Sequence, residues 1–276
     1  GRLHITTRQD IQIHNVSLDR TPELWSQLAK DDITLREACG NTVRNVTASP
    51  TAGIDPKEPF DVSPYAHATF QFFVRNPICQ EMGRKFKISF SSSEEDTALS
   101  YIHDLGFLAK IRNGKRGFKV MLGGGLGSQP RHADELTDFI EAEKIIPLIE
   151  GVIRVFDRYG ERNKRMKARM KYLIKDIGKE AFMELVEAQR TALSKEEVHF
   201  DLAAFETPPA LQELSIPCVE IADQKDYETW KTTNVFPQKQ PGLYAVGIRV
   251  SLGDFRTEVA RKLADLIKNY AGNELR

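Results

Sequence analysis

Arg84-Lys85-Phe86-Lys87-Ile88 alternates cationic and apolar side chains with the period of a β-strand. In a strand, Lys85 and Lys87 share one face about 7 Å apart, while Phe86, Ile88 and Phe90 take the other. Two ammonium groups that close repel unless water or an anion lies between them. On an exposed sheet edge such a pair guards against edge pairing; in a cavity it would clamp a small anion. A second polar row opens the chain. From Leu3 to Val16, residues Leu3, Ile5, Ile11 and Ile13 fall on one parity, and His4, Thr6, Arg8, Asp10, Gln12 and His14 on the other. This reads as a strand with one buried and one polar face. The polar set is mostly hydrogen-bond donors, which suits a surface that receives a polyanion as well as one that meets water.

A third cationic group follows Arg162. A helix over 162–177 would carry Met166, Met170, Leu173 and Ile177 as its apolar stripe, bordered by Arg162, Arg165 and Arg169. Lys164, Lys167, Lys171 and Lys175 would then lie on a solvated back. Guanidinium groups at a core margin suit carboxylates, which they can grip by two nitrogens. A nucleic-acid helix is the rival reading, disfavoured by the zero net charge and the lack of an aromatic platform. Finally, Gly123-Gly124-Gly125-Leu126-Gly127 follows a predicted strand. It is neither a dinucleotide fingerprint nor a P-loop, but it allows close backbone approach to a flat ligand.

The elements that must position these residues alternate strand and helix. Strands are predicted at 85–90, 118–122 and 242–250, and helices at 145–159, 162–177, 179–192 and 254–270, with Ala68–Val74 either helix or strand. A short helix starts at Thr21-Pro22-Glu23, with Thr21 as its cap. Residues 36–64, rich in Gly and Pro, read as an irregular binding loop anchored by Val43, Val46 and Ile54; residues 193–236 read as a connector. The fold class is therefore α/β (α+β).

Composition narrows the field. The 276 residues balance 39 basic against 39 acidic side chains, with 41% hydrophobic residues, which is the make-up of a folded chain. No apolar run is long enough for a membrane helix. Cys39, Cys79 and Cys218 are scattered and odd in number, which fits a reducing, cytoplasmic setting rather than a disulfide scaffold. The Gly1-Arg2-Leu3-His4 opening and the Gly272–Arg276 end look alike, as in a piece of a longer, internally repeated protein.

Taken in order, Leu3–Gln9, Gly40–Val46, Ala52–Pro56, Arg84–Lys87, Gly117-Phe118 and Gly123–Gly125 resemble the sirohaem-containing nitrite and sulfite reductases along nearly the whole chain. That resemblance implies reduction of sulfite to sulfide, or nitrite to ammonia, by six electrons on sirohaem coupled to a 4Fe–4S cluster. Ferredoxin or a flavoprotein would be the donor. It implies the end of a first ferredoxin-like module at 1–35, one complete sirohaem-domain repeat at 36–192, the connector at 193–236, and the start of a second module at 237–276. Carried over by position, Arg44, Lys85 and Lys87 would act on the substrate anion. His4, Thr6, Arg8, Gln12, His14, Arg84 and Arg169 would contact sirohaem. Sulfite is slightly favoured by Lys87, where nitrite-specific relatives often have a neutral residue. The family's two cysteine pairs have no counterpart in Cys39, Cys79 or Cys218. This segment is therefore expected to bind no cluster, and sirohaem weakly or not at all. The alternative is a stand-alone anion- or tetrapyrrole-binding module without catalysis.

Overall fold

The structure, a computed structural model, describes residues 2–193, 200–206, 220–272 and 274–276. The chain divides into two compact units, residues 1–34 with 207–276, and residues 35–206. The smaller unit begins with the alternating segment, which is a hairpin and not one strand. Strands β1 (Arg2–Ile5) and β2 (Ile11–His14) run antiparallel. The chain reverses because Gln9 adopts a left-handed φ of 62° and the Thr6 hydroxyl oxygen accepts the amides of Arg8 and Asp10. Register places Arg2 opposite His14 and His4 opposite Gln12, so the even residues still share a face. The odd face, expected to be buried, is not: Ile5, Ile11 and Ile13 are exposed. No described residue of this unit is fully buried, since strands this short bring too little surface together to close a core. Helix α1 (Thr21–Leu28) has Arg20 as its cap, with Thr21 already helical.

The larger unit contains β3 (Val43–Ala48), α2 (Ser63–Phe73), β4 (Phe86–Ser91), β5 (Leu105–Arg112), β6 (Lys115–Leu122), β7 (Asp134–Glu141), α3 (Ile145–Tyr159), α4 (Met170–Ile177), α5 (Lys179–Ala192) and α6 (Ala203–Glu206). Its sheet has the order β3-β4-β5-β6-β7, parallel across β3, β4 and β5 and antiparallel beyond. The stretch read as an irregular loop thus holds an edge strand, β3, whose Val43 is buried. Strands β5 and β6 join through Asn113-Gly114, both at positive φ (52° and 75°), as a two-residue hairpin requires.

Alternation assigns the two faces of this sheet. Phe86, Ile88, Phe90, Leu105, Phe107, Phe118, Val120 and Leu122 enter one core with α3, whose Ile145, Ile149, Val152, Ile153 and Phe156 recur at helical spacing. Phe90 stacks on Phe107 at 4.8 Å, and Phe118 meets both rings edge-on. Gly151 lets α5 approach α3: a Cβ there would lie 3.2 Å from Val186 Cγ1. Lys87, Ser89 and Ser91 belong to the opposite face. There Gly106 admits the 3₁₀ turn Ser100–Ile102, because its Cβ would collide with Ser100 Cβ at 2.5 Å.

The expected helix over 162–177 breaks. Residues 165–167 form a 3₁₀ turn, Arg169 is extended (φ −77°, ψ 150°), and α4 starts only at Met170. Met166, assigned to the apolar stripe, is 74% exposed as a result. The smaller unit resumes with α7 (Gln224–Asn234), β8 (Val235–Pro237), β9 (Tyr244–Val246), β10 (Asp254–Arg256) and α8 (Thr257–Tyr270). The supposed connector therefore carries a helix, capped by the Asp223 side chain. Its Pro208-Pro209 and Pro217 lie outside the described residues. The strand expected over 242–250 shortens to β9, and β10 takes the first residues assigned to the last helix. β10 pairs with β1, giving the sheet order β10-β1-β2.

Candidate functional site

Strand β4 is paired on both sides, so Lys87 guards no edge. Lys87 is buried at 5% exposure, and Lys85, just before the strand, is half-buried. The Lys87 amide donates to Asp104 Oδ2 at 3.1 Å. Asp104, immediately before β5, is itself 0% exposed. Its carboxylate is gripped by Arg169: Nη2 lies 2.8 Å from Oδ1 and 2.9 Å from Oδ2, with Nε 3.3 Å from Oδ1. A buried carboxylate holds its charge only when paired and hydrogen-bonded in this way. The Asp104 carbonyl also accepts the Gly123 amide at 2.9 Å, tying the glycine run to the same point.

Around this pair stand more cations than Asp104 can neutralise. Burial pushes the Arg84 guanidinium below its usual pKa, and the like charges of Arg165, Arg169 and Arg44 add to that. Nε of Arg84 and Nε of Arg44 are buried without a hydrogen-bond partner among the described residues. Arg44 lies on β3 where the register with β4 shifts between Val43 and Asn45, and its Nη2 donates to the Ala38 carbonyl at 2.5 Å. Unsatisfied buried donors surrounded by positive charge are complementary to an anion with several acceptor oxygens.

Lys171 corrects the reading of a solvated lysine back. It is 4% exposed, with Nζ donating to the carbonyls of Leu126 (3.1 Å) and Gln129. Burial lowers its pKa first, then the charge of Arg169, with Asp104 opposing. Lys164, Lys167 and Lys175 are exposed as expected. Arg131 completes the clamp, donating from Nη1 to the Lys171 carbonyl at 3.2 Å and bridging to Gly125 through its backbone. Gly125 is a place of close approach: a Cβ there would lie 3.3 Å from Arg169 Nη2.

The larger unit thus brings Arg44, Arg84 and Arg169 together, ties the Lys87 backbone to the same point through Asp104, and adds Asp104 and Lys171, which sequence reasoning missed; Lys85 directly follows Arg84 in the chain. In the smaller unit, His4, Gln12 and His14 share the even face. His4 Nδ1 lies 2.9 Å from Asp254 Oδ1, and His14 Nε2 lies 3.1 Å from Gln12 Oε1. The His4 and His14 rings meet edge-on at 6.2 Å. Thr6 and Arg8 lie in the turn, where the Thr6 oxygen serves the backbone.

The donor set of the larger unit fits a polycarboxylate such as sirohaem, on the strength of those unpartnered buried guanidinium nitrogens. It does not fit an iron–sulfur cluster. Burial pushes the Cys79 thiol up to about 12, the reverse of what a thiolate ligand needs, and Cys39 lies on the exposed surface. Cys218 lies outside the described residues. Among the described residues no three His, Cys, Asp or Glu side chains converge on a metal position, and no helix is long and apolar enough to cross a membrane.

The larger unit is an α/β domain whose mixed sheet carries the buried Lys87 near an arginine cluster. The family model described as the nitrite and sulphite reductase 4Fe-4S domain matches residues 39–193, and the chain belongs to that family. The ferredoxin-like half domain of the same reductases matches residues 1–31 and 236–276. The chain is 30% identical over 281 residues to the chloroplastic ferredoxin–nitrite reductase of Spinacia oleracea, covering all of this chain and 44% of that protein. It is 31% identical over 289 residues to the assimilatory ferredoxin-dependent nitrite reductase of Haloferax mediterranei, again over the whole chain and 46% of the relative. Against a ferredoxin sulfite reductase of Mycolicibacterium paratuberculosis, identity is 30% over 67% of this chain and 33% of the relative. The solved structure of the Mycobacterium tuberculosis NirA protein matches with a TM-score of 0.77 at 25% identity, over 97% of this chain and 44% of that one. The chain therefore spans less than half the length of these relatives.

Proposed function

We propose that this chain is the part of a sirohaem- and 4Fe–4S-dependent reductase that holds anions, within a protein reducing nitrite to ammonia or sulfite to sulfide by six electrons. The observation that carries this is the guanidinium cluster of Arg44, Arg84, Arg165 and Arg169 with its unpartnered buried nitrogens, beside the buried Lys87. When bound, sirohaem with its cluster would supply the electrons and the iron on which the substrate sits. The chain's own residues have other work. Arg84 and Arg169 would grip carboxylates of the cofactor. Arg44, Lys85 and Lys87 would neutralise the small oxyanion, exclude water from it, and offer ammonium protons to oxygens that leave as water. For the smaller unit, the resemblance assigns His4, Thr6, Arg8, Gln12 and His14 as cofactor-contacting residues.

The cluster's thiolates would come from outside this segment, since Cys39 and Cys79 do not suit them. Ferredoxin is the proposed electron donor, in line with the names of the relatives, and a reducing compartment such as the cytoplasm is the proposed setting. The test uses the cofactor-loaded protein that contains this chain, with reduced ferredoxin or viologen. Six electrons should be consumed per ammonia or sulfide formed, and kcat/KM for the two anions sets the preferred one. Lys87→Ala and Lys85→Ala should each greatly lower turnover while the cofactor spectrum persists. Tetrapyrrole or anion binding without any electron consumption would instead make the chain a binding module.

A further inference from the structure

We infer that Asp104 is the positioning residue of the anion site, an inference that rests on the reductase reading above. Three separate pieces of the larger unit meet at this one carboxyl-bearing residue. Its side chain accepts the Lys87 amide on β4, its carbonyl accepts the Gly123 amide of the glycine run, and its carboxylate binds Arg169 just ahead of α4. None of these attachments is local: Arg169 is separated from Asp104 by 65 residues and Lys87 by 17. Asp104 is also the buried counter-charge at a place where Arg44, Arg84, Arg165, Arg169 and Lys171 crowd together.

The hydrogen-bond geometry divides the labour. Asp104 occupies Nε and Nη2 of Arg169, the edge facing the protein. Nη1 makes no hydrogen bond with the described residues, so it is the nitrogen left to donate to a ligand. Gly125 leaves no side chain between the glycine run and that guanidinium. Arg169 is therefore held as a half-neutralised donor of fixed direction, whereas Arg84 and Arg44 have no carboxylate partner among the described residues. Orientation depends on Asp104; attraction for the anion does not.

That separation predicts an unusual split. In the cofactor-loaded protein, Asp104→Asn makes the site one charge more positive and frees Arg169 to turn. Sulfite or nitrite should bind as tightly as before or up to about tenfold more tightly by equilibrium dialysis, because a nearby negative charge is gone. Turnover per bound cofactor should fall by about 10- to 100-fold, because a misdirected Arg169 no longer holds the cofactor in place for the reacting anion. Arg169→Lys is the second variant, should Asp104→Asn fail to fold. It keeps the charge, loses the two-nitrogen grip, and should reproduce the fall in kcat with an unchanged anion Kd and a melting temperature close to that of the parent. A defect that is merely structural would weaken Kd and lower kcat together. That result, or wild-type kcat in both variants, overturns the assignment. Absence of any sulfite or nitrite turnover in the unsubstituted protein would instead end the reductase reading on its own.

Discussion

Arg84→Gln is expected to raise the melting temperature of the anion-free protein, although it deletes a residue of the candidate site. Arg84 stands among Arg165, Arg169 and Arg44, and burial plus those like charges disfavours its charged form. At separations on the order of 7 Å and an effective dielectric of about 80, each like-charged neighbour costs about 0.6 kcal/mol. Three neighbours come to about 2 kcal/mol. The guanidinium is partly solvated, so screening at physiological salt reduces this to about 1 kcal/mol. Releasing the unpartnered buried Nε acts in the same direction. In a chain of this size about 1 kcal/mol corresponds to a rise of about 2–4 °C. Scanning calorimetry at low and high sodium chloride is the assay, and the rise should be larger at low salt. Citrate, a tricarboxylate, should then raise the melting temperature of the parent more than that of the variant. A fall in melting temperature of equal size at both salt levels would show that Arg84 serves packing and refute the electrostatic reasoning, as would an equal citrate shift in both proteins.

Three further outcomes follow from the same geometry. Lys171→Met strands the carbonyls of Leu126 and Gln129 and should cost about 1–3 kcal/mol in urea unfolding at pH 7. Because the folded pKa of Lys171 lies below 10.5, the unfolded chain holds more protons between those two values. Lys171 therefore makes the parent gain stability as pH rises through that window, and the difference between parent and Lys171→Met should widen toward pH 10; a pH-independent difference would contradict its burial as an ammonium. Phe107→Ala empties the 0%-exposed position stacked on Phe90 and should cost about 3–5 kcal/mol by denaturant midpoint. In a Cys218→Ser background, iodoacetamide at pH 8 should label exposed Cys39 and spare Cys79, whose thiol is pushed up to about 12, as read by peptide mass spectrometry.

Sequence reached the elements whose patterns are local. The alternation through Phe86, Ile88 and Phe90 gave β4, and the apolar spacing in 145–159 and 179–192 gave α3 and α5 with their ends. It missed β7 because Asp134, Glu135, Asp138 and Glu141 look like a solvated loop. Most of those charges are met across the sheet by Lys119, Lys110, Arg112 and Lys115, partners that no window around β7 contains. Lys171 was misplaced because helical phase was carried through Arg169, where the backbone is extended. Asp104 escaped because its partners are far along the chain. The signal that could have found it is Asn113-Gly114: a two-residue hairpin there pairs the strand ending at Leu122 with one beginning at Leu105, and so puts Asp104 at the mouth of the sheet beside Lys87. Resemblance supplied what pattern could not, the grouping of Arg44 with Arg84.

The site itself can be tested with selenite, which has the shape and charge of sulfite and scatters anomalously. Crystals of the protein soaked in selenite should give an anomalous peak within hydrogen-bond distance, about 3.2 Å, of the Arg44 guanidinium and of the Lys85 or Lys87 ammonium. Arg44→Gln should abolish that peak. A peak confined to another basic surface, such as the groove lined by Arg112, Lys115, Lys144 and Arg190, would contradict the assignment of the arginine–lysine cluster as the anion site.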